Sequence, residues 1–169
     1  SEVQLNYDYN RARSLGAEVS GGTIFTLSSR GESAEVYIRG ALGAQVCYAA
    51  LAACAVAVAL EIPITETIQA LTEYLPPKGR MRLLSGIKQT VLIDDTYNSS
   101  PEAARRALET LAVFPLSQEQ ARRIAVLGDM AELGVETEER HAEAGRLAAE
   151  HNLDYLVCVG ERSRDTARA

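Results

Sequence analysis

The sequence predicts an α/β protein with a Rossmann-like parallel sheet in its C-terminal half, preceded by a hairpin and two helices. After residue 81, strand-like segments that are apolar throughout alternate with amphipathic helical segments. Strands of that kind are typical of a parallel sheet that helices cover on both faces. Before residue 76, two segments with strand-like alternation flank a short turn, and two helical segments follow them. That order predicts a hairpin and two helices.

The predicted hairpin consists of residues 23–29 and 34–39, with a turn at residues 29–32. It is followed by an apolar stretch, residues 41–60, that is long enough to span a membrane. About half of that stretch is alanine, and no Lys or Arg flanks its end. We therefore predict a helix packed on all sides within the protein rather than a membrane span.

A change of pattern follows the second predicted helix. This helix lies within residues 62–75, where apolar residues repeat at helical spacing, and Thr65 is its predicted N-cap. Two prolines and a glycine come directly after it, which indicates a domain boundary. The sequence thus predicts a first domain (residues 1–76), a hinge (residues 77–80) and a second domain (residues 81–169).

The second domain contains three apolar strands, which are residues 90–93, 123–128 and 155–160. A helix with Ala104 and Leu108 on its apolar face follows the first strand, and a helix at about residues 137–151 follows the second. This order is βαβαβ. Ligands of such sheets bind beyond the carboxyl ends of the strands, so the turns after these strands are the candidate site.

The turn after the first of these strands carries adjacent carboxylates, Asp94 and Asp95. Neighbouring strand residues point to opposite faces, so one of them should face a ligand while the other stabilises the turn. Ser100 is placed to cap the next helix, with Pro101 as its first residue. A carboxylate at this position can accept hydrogen bonds from two ribose hydroxyls, and the Asn98 amide can both donate and accept.

Paired acids after a strand also occur in receiver domains and in haloacid-dehalogenase-type phosphatases. A receiver domain needs an aspartate after its third strand and a later lysine. Here that strand ends in Gly160 and Glu161, and no lysine follows Lys88. The phosphatase needs Asp-x-Asp, whereas this strand ends in Asp-Asp-Thr. Both alternatives are disfavoured relative to a nucleotide cleft.

Composition excludes some partners. The formal net charge of −6 over 169 residues argues against a nucleic-acid binder that acts through a general basic surface. Cys47, Cys54 and Cys158 form no CxxC pair and lie in apolar runs, so we expect buried free thiols in a reducing cytosol. No signal peptide opens the chain, and we expect a cytoplasmic protein without membrane insertion.

Four motifs together resemble the Mur ligases, the ATP-dependent ligases of peptidoglycan precursor synthesis. They are KGRM (78–81), IDDTYNSSPEAARRALETL (93–111), IAVLGDMAELG (124–134) and EERHAEAG (138–145). The segment GAQVCYAALAA (43–53) is similar to the helix that closes the central ATPase domain of that family. Within the family, the motifs look most like the branch that adds D-alanyl-D-alanine to UDP-N-acetylmuramoyl-tripeptide.

The resemblance implies that the chain is a fragment: residues 1–76 would end the central ATPase domain, and residues 81–169 would be most of the C-terminal domain. The family's GTxGKT-type phosphate-binding loop does not occur in the sequence and is expected upstream, with most ligands of Mg²⁺. The implied reaction converts a precursor carboxylate and ATP to an acyl phosphate, which the amine of the dipeptide attacks. We therefore expect no catalytic residue within this chain, an inactive isolated chain and a monomeric enzyme.

Site roles follow from the resemblance where the residues match. The implied ATP-binding residues are Arg80, Asp95, Tyr97, Asn98 and Gln45. The implied substrate-binding residues are Asp129, Glu132 and His141, with Asp129 or Glu132 as the partner of the dipeptide's ammonium group. For His141, which lies at the edge of the packed stripe of its helix, a structural role is favoured over a substrate role.

Two positions depart from the family pattern. Many members carry asparagine side chains for the base where this chain has Val46 and Ala49, so adenine recognition through this helix is in doubt. Two other functions stay open: a ligase similar to folylpolyglutamate synthase, and a non-catalytic Rossmann-like interaction module.

Overall fold

The computed structural model describes residues 4–5, 21–29, 32–116, 120–151 and 153–169. The chain divides into two compact units, Ser1–Asp94 and Asp95–Ala169. The division predicted from sequence, with a hinge at residues 77–80, stays a prediction.

The first unit contains the predicted hairpin and its two helices. Its first elements are β1 (Gln4–Leu5), β2 (Gly22–Ser29), β3 (Glu32–Arg39), α1 (Ala44–Ala59) and α2 (Ile64–Glu73). The three strands form an antiparallel sheet in the order β1-β2-β3. The hairpin prediction is confirmed, while Arg30 and Gly31 of its turn lie outside the described residues.

The core of this unit lies between the hairpin and one face of α1. Its buried residues are Phe25, Leu27, Val36, Ile38, Ala41, Cys47, Ala50 and Cys54. The opposite face of α1 carries Tyr48 and Val56, which are 64% and 59% exposed. The prediction of a helix packed on all sides is therefore wrong, because residues three or four apart bury only one stripe. Among the described residues, no helix is long and apolar enough to cross a membrane.

Helix α2 begins at Ile64, directly after Pro63. Thr65 therefore lies inside the helix, and its prediction as the N-cap is wrong. The carbonyl of Pro63 accepts hydrogen bonds from the backbone N–H groups of Glu66 (3.1 Å) and Thr67 (3.2 Å). The fixed φ of Pro63 (−55°) places that carbonyl at the start of the helix.

The first unit ends in a short antiparallel pair that the sequence analysis did not predict in full. Strand β4 (Arg82–Ser85) pairs antiparallel with β5 (Val91–Asp94). The sequence predicted β5 as the first strand of the parallel βαβαβ sheet, but among the described residues it pairs only with β4. Backbone bonds join the start of β4 to the end of β3: Leu42 N donates to Met81 O (3.0 Å), and Leu83 N donates to Gly40 O (2.9 Å).

The second unit contains the predicted parallel pairing. Its elements are α3 (Pro101–Val113), β6 (Ile124–Gly128), α4 (Thr137–Glu150), β7 (Tyr155–Val159) and α5 (Ser163–Arg168). Strands β6 and β7 pair in parallel from Ile124↔Tyr155 to Gly128↔Val159. The buried core comprises Leu108 of α3, Ala125 of β6 and Ala148 of α4. The Rossmann-like fold class is confirmed.

One face of the β6–β7 pair carries exposed apolar side chains. Val126 is 65% exposed and Val157 is 46% exposed, whereas Ala125 is buried. Because successive residues of a strand point to opposite faces, the described helices cover only the face that contains Ala125. Coverage of both faces, which the sequence predicted, is not present among the described residues.

Helices α4 and α5 approach each other at a glycine. A Cβ added to Gly145 would lie 2.1 Å from the carbonyl oxygen of Thr166. No side chain fits at that distance, so Gly145 allows the two backbones to pack closely.

The three cysteines are free thiols, as expected. Cys47 and Cys54 are buried and Cys158 is half-buried. Burial raises the pKa of the Cys47 thiol to about 11, which makes it unreactive at neutral pH.

Candidate functional site

The loop that follows β6 (residues 129–133, called the β6 loop) is held to the end of β7 through Asp129. The Oδ1 atom of Asp129 accepts hydrogen bonds from the backbone N–H and from the hydroxyl of Ser163, both at 2.8 Å. These bonds hold the pKa of the Asp129 carboxyl below its usual value. A Cβ on Gly160 would lie 2.2 Å from Asp129 Oδ1, and the φ of Gly160 is +118°. Only glycine permits this contact.

The next residue of the β6 loop, Met130, is held at both of its backbone polar groups. Its N–H donates to Nε2 of His141 (2.9 Å), and its carbonyl accepts from Nη1 of Arg162 (3.3 Å). The Met130 side chain is only 2% exposed and packs against Ala104 of α3 and Ala144 of α4. The β6 loop is therefore anchored at its first two residues.

His141 lies underneath the β6 loop and is fully buried. Its Nδ1 is 2.7 Å from the carbonyl oxygen of Thr137. An N–H of the backbone can only donate, so Nε2 accepts from Met130 and the ring proton sits on Nδ1, facing Thr137. Both ring nitrogens are thus used within the protein, and the ring has no exposed surface for a substrate.

Glu132 is the outward-facing acid of the β6 loop. Its side chain is exposed, and its φ of +63° lies in the left-handed region, which is uncommon for a residue with a side chain. Asp129 already accepts two hydrogen bonds from Ser163. Both carboxylates predicted to meet the dipeptide are exposed, and Asp129 is the one that Ser163 engages.

Asp94 stabilises the segment predicted as the hinge. Its Oδ2 atom accepts a hydrogen bond from the backbone N–H of Gly79 (3.0 Å). Gly79 is buried and has a φ of +71°, which favours glycine. This contact agrees with the expectation that one of the two adjacent aspartates supports the fold.

The predicted nucleotide-facing turn opens the second unit. Asp95 is half-buried, while Tyr97 (71% exposed) and Asn98 are exposed. Ser100 caps α3 by accepting a hydrogen bond from Ala103 N (3.2 Å), which confirms the predicted cap. Since Ala104 of α3 contacts Met130, the first turns of α3 lie beside the β6 loop.

The other predicted ATP-binding residues belong to the first unit. Arg80 is exposed and follows Gly79. Gln45 is exposed in the first turn of α1, and its side-chain oxygen lies 2.5 Å from where a Cβ on Gly43 would be. Val46 is half-buried against the core of the unit and Ala49 is exposed, so neither offers a polar group to a base.

Three residues of the site were missed by sequence reasoning: Gly160, Arg162 and Ser163. They follow β7 directly, at the edge where ligand-binding turns were expected. A glycine at the end of an apolar strand, with a serine three positions later, was the available signal. No group of three or more His, Cys, Asp or Glu side chains that could hold a metal ion is present in the described part of the chain.

A parallel strand pair with helices packed on it, and with polar loops at its carboxyl edge, defines a Rossmann-like domain. In open sheets of this class, ligands bind beyond that edge. The family model described as "Mur ligase, glutamate ligase domain" matches residues 79–169. The chain belongs to the Mur ligase family.

Several relatives share the name UDP-N-acetylmuramoyl-tripeptide–D-alanyl-D-alanine ligase. The protein from Mycobacterium tuberculosis is 37% identical over 138 residues, covering 80% of this chain and 27% of the relative. The protein from Escherichia coli is 30% identical over 150 residues, covering 89% of this chain and 32% of the relative. The chain therefore spans about a quarter to a third of the length of these relatives.

Solved structures of proteins named MurF are similar to this chain. MurF from Acinetobacter baumannii superposes with a TM-score of 0.75 at 29% identity, covering 86% of this chain and 31% of that protein. MurF from Thermotoga maritima, solved in complex with ADP, superposes with a TM-score of 0.74 at 26% identity, covering 86% of this chain and 32% of that protein.

Proposed function

We propose that this chain works as part of an ATP-dependent ligase that joins D-alanyl-D-alanine to UDP-N-acetylmuramoyl-tripeptide. The relatives that carry this name support the reaction and both substrates, and the ADP complex of a similar structure supports the nucleotide. The observation that carries the proposal within this chain is the β6 loop. It is anchored at Asp129 and Met130, and it exposes Glu132 at the carboxyl edge of a parallel strand pair.

The proposed reaction has two steps. A carboxylate oxygen of the tripeptide attacks the γ-phosphorus of ATP, ADP leaves, and an acyl phosphate forms. The amine of the dipeptide then attacks the acyl carbon, phosphate leaves, and the new amide nitrogen loses a proton. Magnesium bound to ATP would neutralise phosphate charge, and we assign it no ligand among the described residues.

For the nucleotide, we propose the turn that precedes α3. Asp95 accepts hydrogen bonds from the ribose hydroxyls, because a carboxylate can accept from two donors at once. Tyr97 and Asn98, both exposed, complete the surface that contacts the nucleotide. Arg80 and Gln45 of the first unit are proposed as further ATP-binding residues, on the basis of the family resemblance.

For the dipeptide, we propose Glu132 as the partner of the ammonium group. Asp129 has Ser163 as a double donor, so a ligand would have to compete with those bonds. Glu132 is exposed in the same loop, so its carboxylate is accessible to a ligand. Holding the ammonium group positions the amine before it loses its proton and attacks.

The proposed ligase has a domain boundary near residues 77–80 and acts in the cytoplasm. The family match begins at residue 79, which supports a boundary near residues 77–80. Dependence on ATP supports action in the cytoplasm, and a monomeric enzyme stays a prediction.

The test uses the intact ligase that contains this chain. We expect phosphate release that requires ATP, UDP-N-acetylmuramoyl-tripeptide and D-alanyl-D-alanine together. Glu132→Gln should raise the KM for the dipeptide by roughly tenfold, the loss of a charge-assisted contact of about 1.4 kcal/mol, with the KM for ATP unchanged. Glu66→Gln, which removes an exposed carboxylate of the first unit, is the matched control and should leave both KM values unchanged.

Failure of the wild-type enzyme to consume the dipeptide would refute the proposal. Turnover with a folate and glutamate instead would favour the ligase similar to folylpolyglutamate synthase. Absence of ATP turnover with any of these substrates would favour a non-catalytic module.

A further inference from the structure

We propose that His141 is a positioning residue for the dipeptide: it fixes the peptide group of Met130 and thereby the direction in which the β6 loop presents Glu132. The inference rests on the proposed function and gives a substrate-positioning consequence to the structural role that the sequence favours for His141. The fully buried side chain of His141 affects substrate binding through one hydrogen bond, in which its Nε2 accepts from the N–H of Met130.

The first step is the geometry of the ring. Nδ1 of His141 lies 2.7 Å from the carbonyl of Thr137, one turn earlier in α4, and this bond fixes the ring relative to the helix. Nε2 then points to the N–H of Met130 at 2.9 Å. The imidazole is therefore a rigid link between the first turn of α4 and the β6 loop.

Met130 is held by further contacts besides the bond to His141. The carbonyl of Met130 accepts from Arg162, and its side chain is buried against Ala104 and Ala144. Both peptide groups of Met130 are thus oriented by the protein. The next two residues, Ala131 and Glu132, are exposed and connect Met130 to Leu133, which packs against the same cluster. The orientation of Met130 therefore sets where this two-residue segment leaves the core.

The third step is why orientation matters for the reaction. An amine reacts with an acyl phosphate only when it lies close to the acyl carbon and in line with it. A displacement of about 1 Å at a positioning group can cost about a hundredfold in rate. If the His141 ring only filled space, any side chain that packs equally well would support the same reaction rate.

Two substitutions of His141 separate the two ring nitrogens. Glutamine places an amide oxygen near the Nε2 position and can keep the bond to Met130, while losing the bond to Thr137. Asparagine places its amide near the Nδ1 position and can keep the bond to Thr137, while leaving the N–H of Met130 without an acceptor. Both remove the ring, so both lower the melting temperature.

The measurements are the KM for D-alanyl-D-alanine, the KM for ATP and hydrogen exchange of the peptide covering residues 129–134, all in the intact ligase. In His141→Asn we expect the dipeptide KM to rise by about tenfold, as in Glu132→Gln, because the displaced Glu132 loses its contact with the ammonium group. We expect the ATP KM to be unchanged and exchange to become faster. In His141→Gln we expect the dipeptide KM and the exchange rate to stay near those of the wild type. Arg123→Ala, which removes the side-chain bonds to the carbonyls of Leu111 and Phe114 at the other end of β6, is the stability control and should lower the melting temperature without changing the dipeptide KM.

The outcomes are distinguishable. Equal dipeptide KM values in His141→Gln and His141→Asn, or unchanged exchange in His141→Asn, overturn the inference while the proposed function stands. A wild-type enzyme without dipeptide-dependent turnover overturns the proposed function, and the substrate part of the inference with it.

Discussion

Gly160 offers the sharpest test of how the carboxyl edge of the second unit is built. A Cβ on Gly160 would lie 2.2 Å from Oδ1, 2.4 Å from Cγ and 2.6 Å from Oδ2 of Asp129. Gly160→Ala therefore forces the carboxylate away from Ser163, in addition to placing alanine at a φ of +118°. Both effects destabilise the folded chain.

The magnitude can be worked out against a matched glycine. Gly134 also has a positive φ, +55°, but nothing lies within 4 Å of its added Cβ. Gly134→Ala should cost about 1–2 kcal/mol for the left-handed backbone, reduced by about 0.4–1 kcal/mol from the lower entropy of the unfolded chain. Gly160→Ala carries a backbone cost of about 1–3 kcal/mol and an overpacking cost of about 1–3 kcal/mol. The expected net loss for Gly160→Ala is about 1–5.6 kcal/mol after the same reduction.

The assay is urea unfolding of this chain followed by circular dichroism, for wild type, Gly160→Ala, Gly134→Ala, Asp129→Ala and the double variant of Gly160 and Asp129. If the contact with Asp129 is the cause, Gly160→Ala should cost less in the Asp129→Ala background. The reasoning is refuted if Gly160→Ala costs no more than Gly134→Ala, or if its cost is the same in both backgrounds.

Two further predictions concern the adjacent aspartates and the isolated chain. Asp94→Ala should lower stability by about 1.5–3 kcal/mol, because it removes the acceptor for Gly79 N, with a smaller effect on ATP affinity in the intact enzyme. Asp95→Ala should leave the melting temperature nearly unchanged but weaken ATP binding roughly tenfold to a hundredfold; the opposite result by calorimetry would reverse the two roles. The isolated chain should release no phosphate from ATP in the presence of magnesium and both substrates, because its sequence contains no GTxGKT-type loop. Turnover above background, unchanged after further purification, would contradict this.

Elements defined by local patterns were predictable. The alternation of residues 23–29 and 34–39 predicted the β2–β3 hairpin, and the apolar runs predicted β6 and β7 within one residue at each end. The cap at Ser100 was equally readable, because its acceptor and donor lie three residues apart. Such features depend on neighbours in the chain, which a sequence shows directly.

Thr65 and α1 show where local patterns mislead. A threonine near the start of a helix is a good candidate cap. In α2, however, the helix begins earlier, and the carbonyl of Pro63 accepts the backbone hydrogen bonds of the first turn. In α1, a continuous apolar and alanine-rich run predicts a helix that is buried on all sides. In the structure, only the stripe that contacts the β2–β3 hairpin is buried. Which face is buried depends on what packs there, and composition does not contain that information.

By itself, the sequence determined the β2–β3 hairpin, the strands β6 and β7, the helices α3 and α4 and the family motifs. It also predicts the edge of the sheet at which a ligand would bind. Only the tertiary structure decided the roles within that edge. Asp129 bonds to Ser163, which is 34 positions away in the chain, and His141 bonds to Met130, which is 11 positions away. These contacts exist because β6 pairs with β7 in parallel and α4 packs behind their common edge. Whether a carboxylate or an imidazole stabilises the fold or binds a ligand depends on the hydrogen-bond donors near it. Strand pairing, rather than the neighbouring residues in the chain, determines which donors these are.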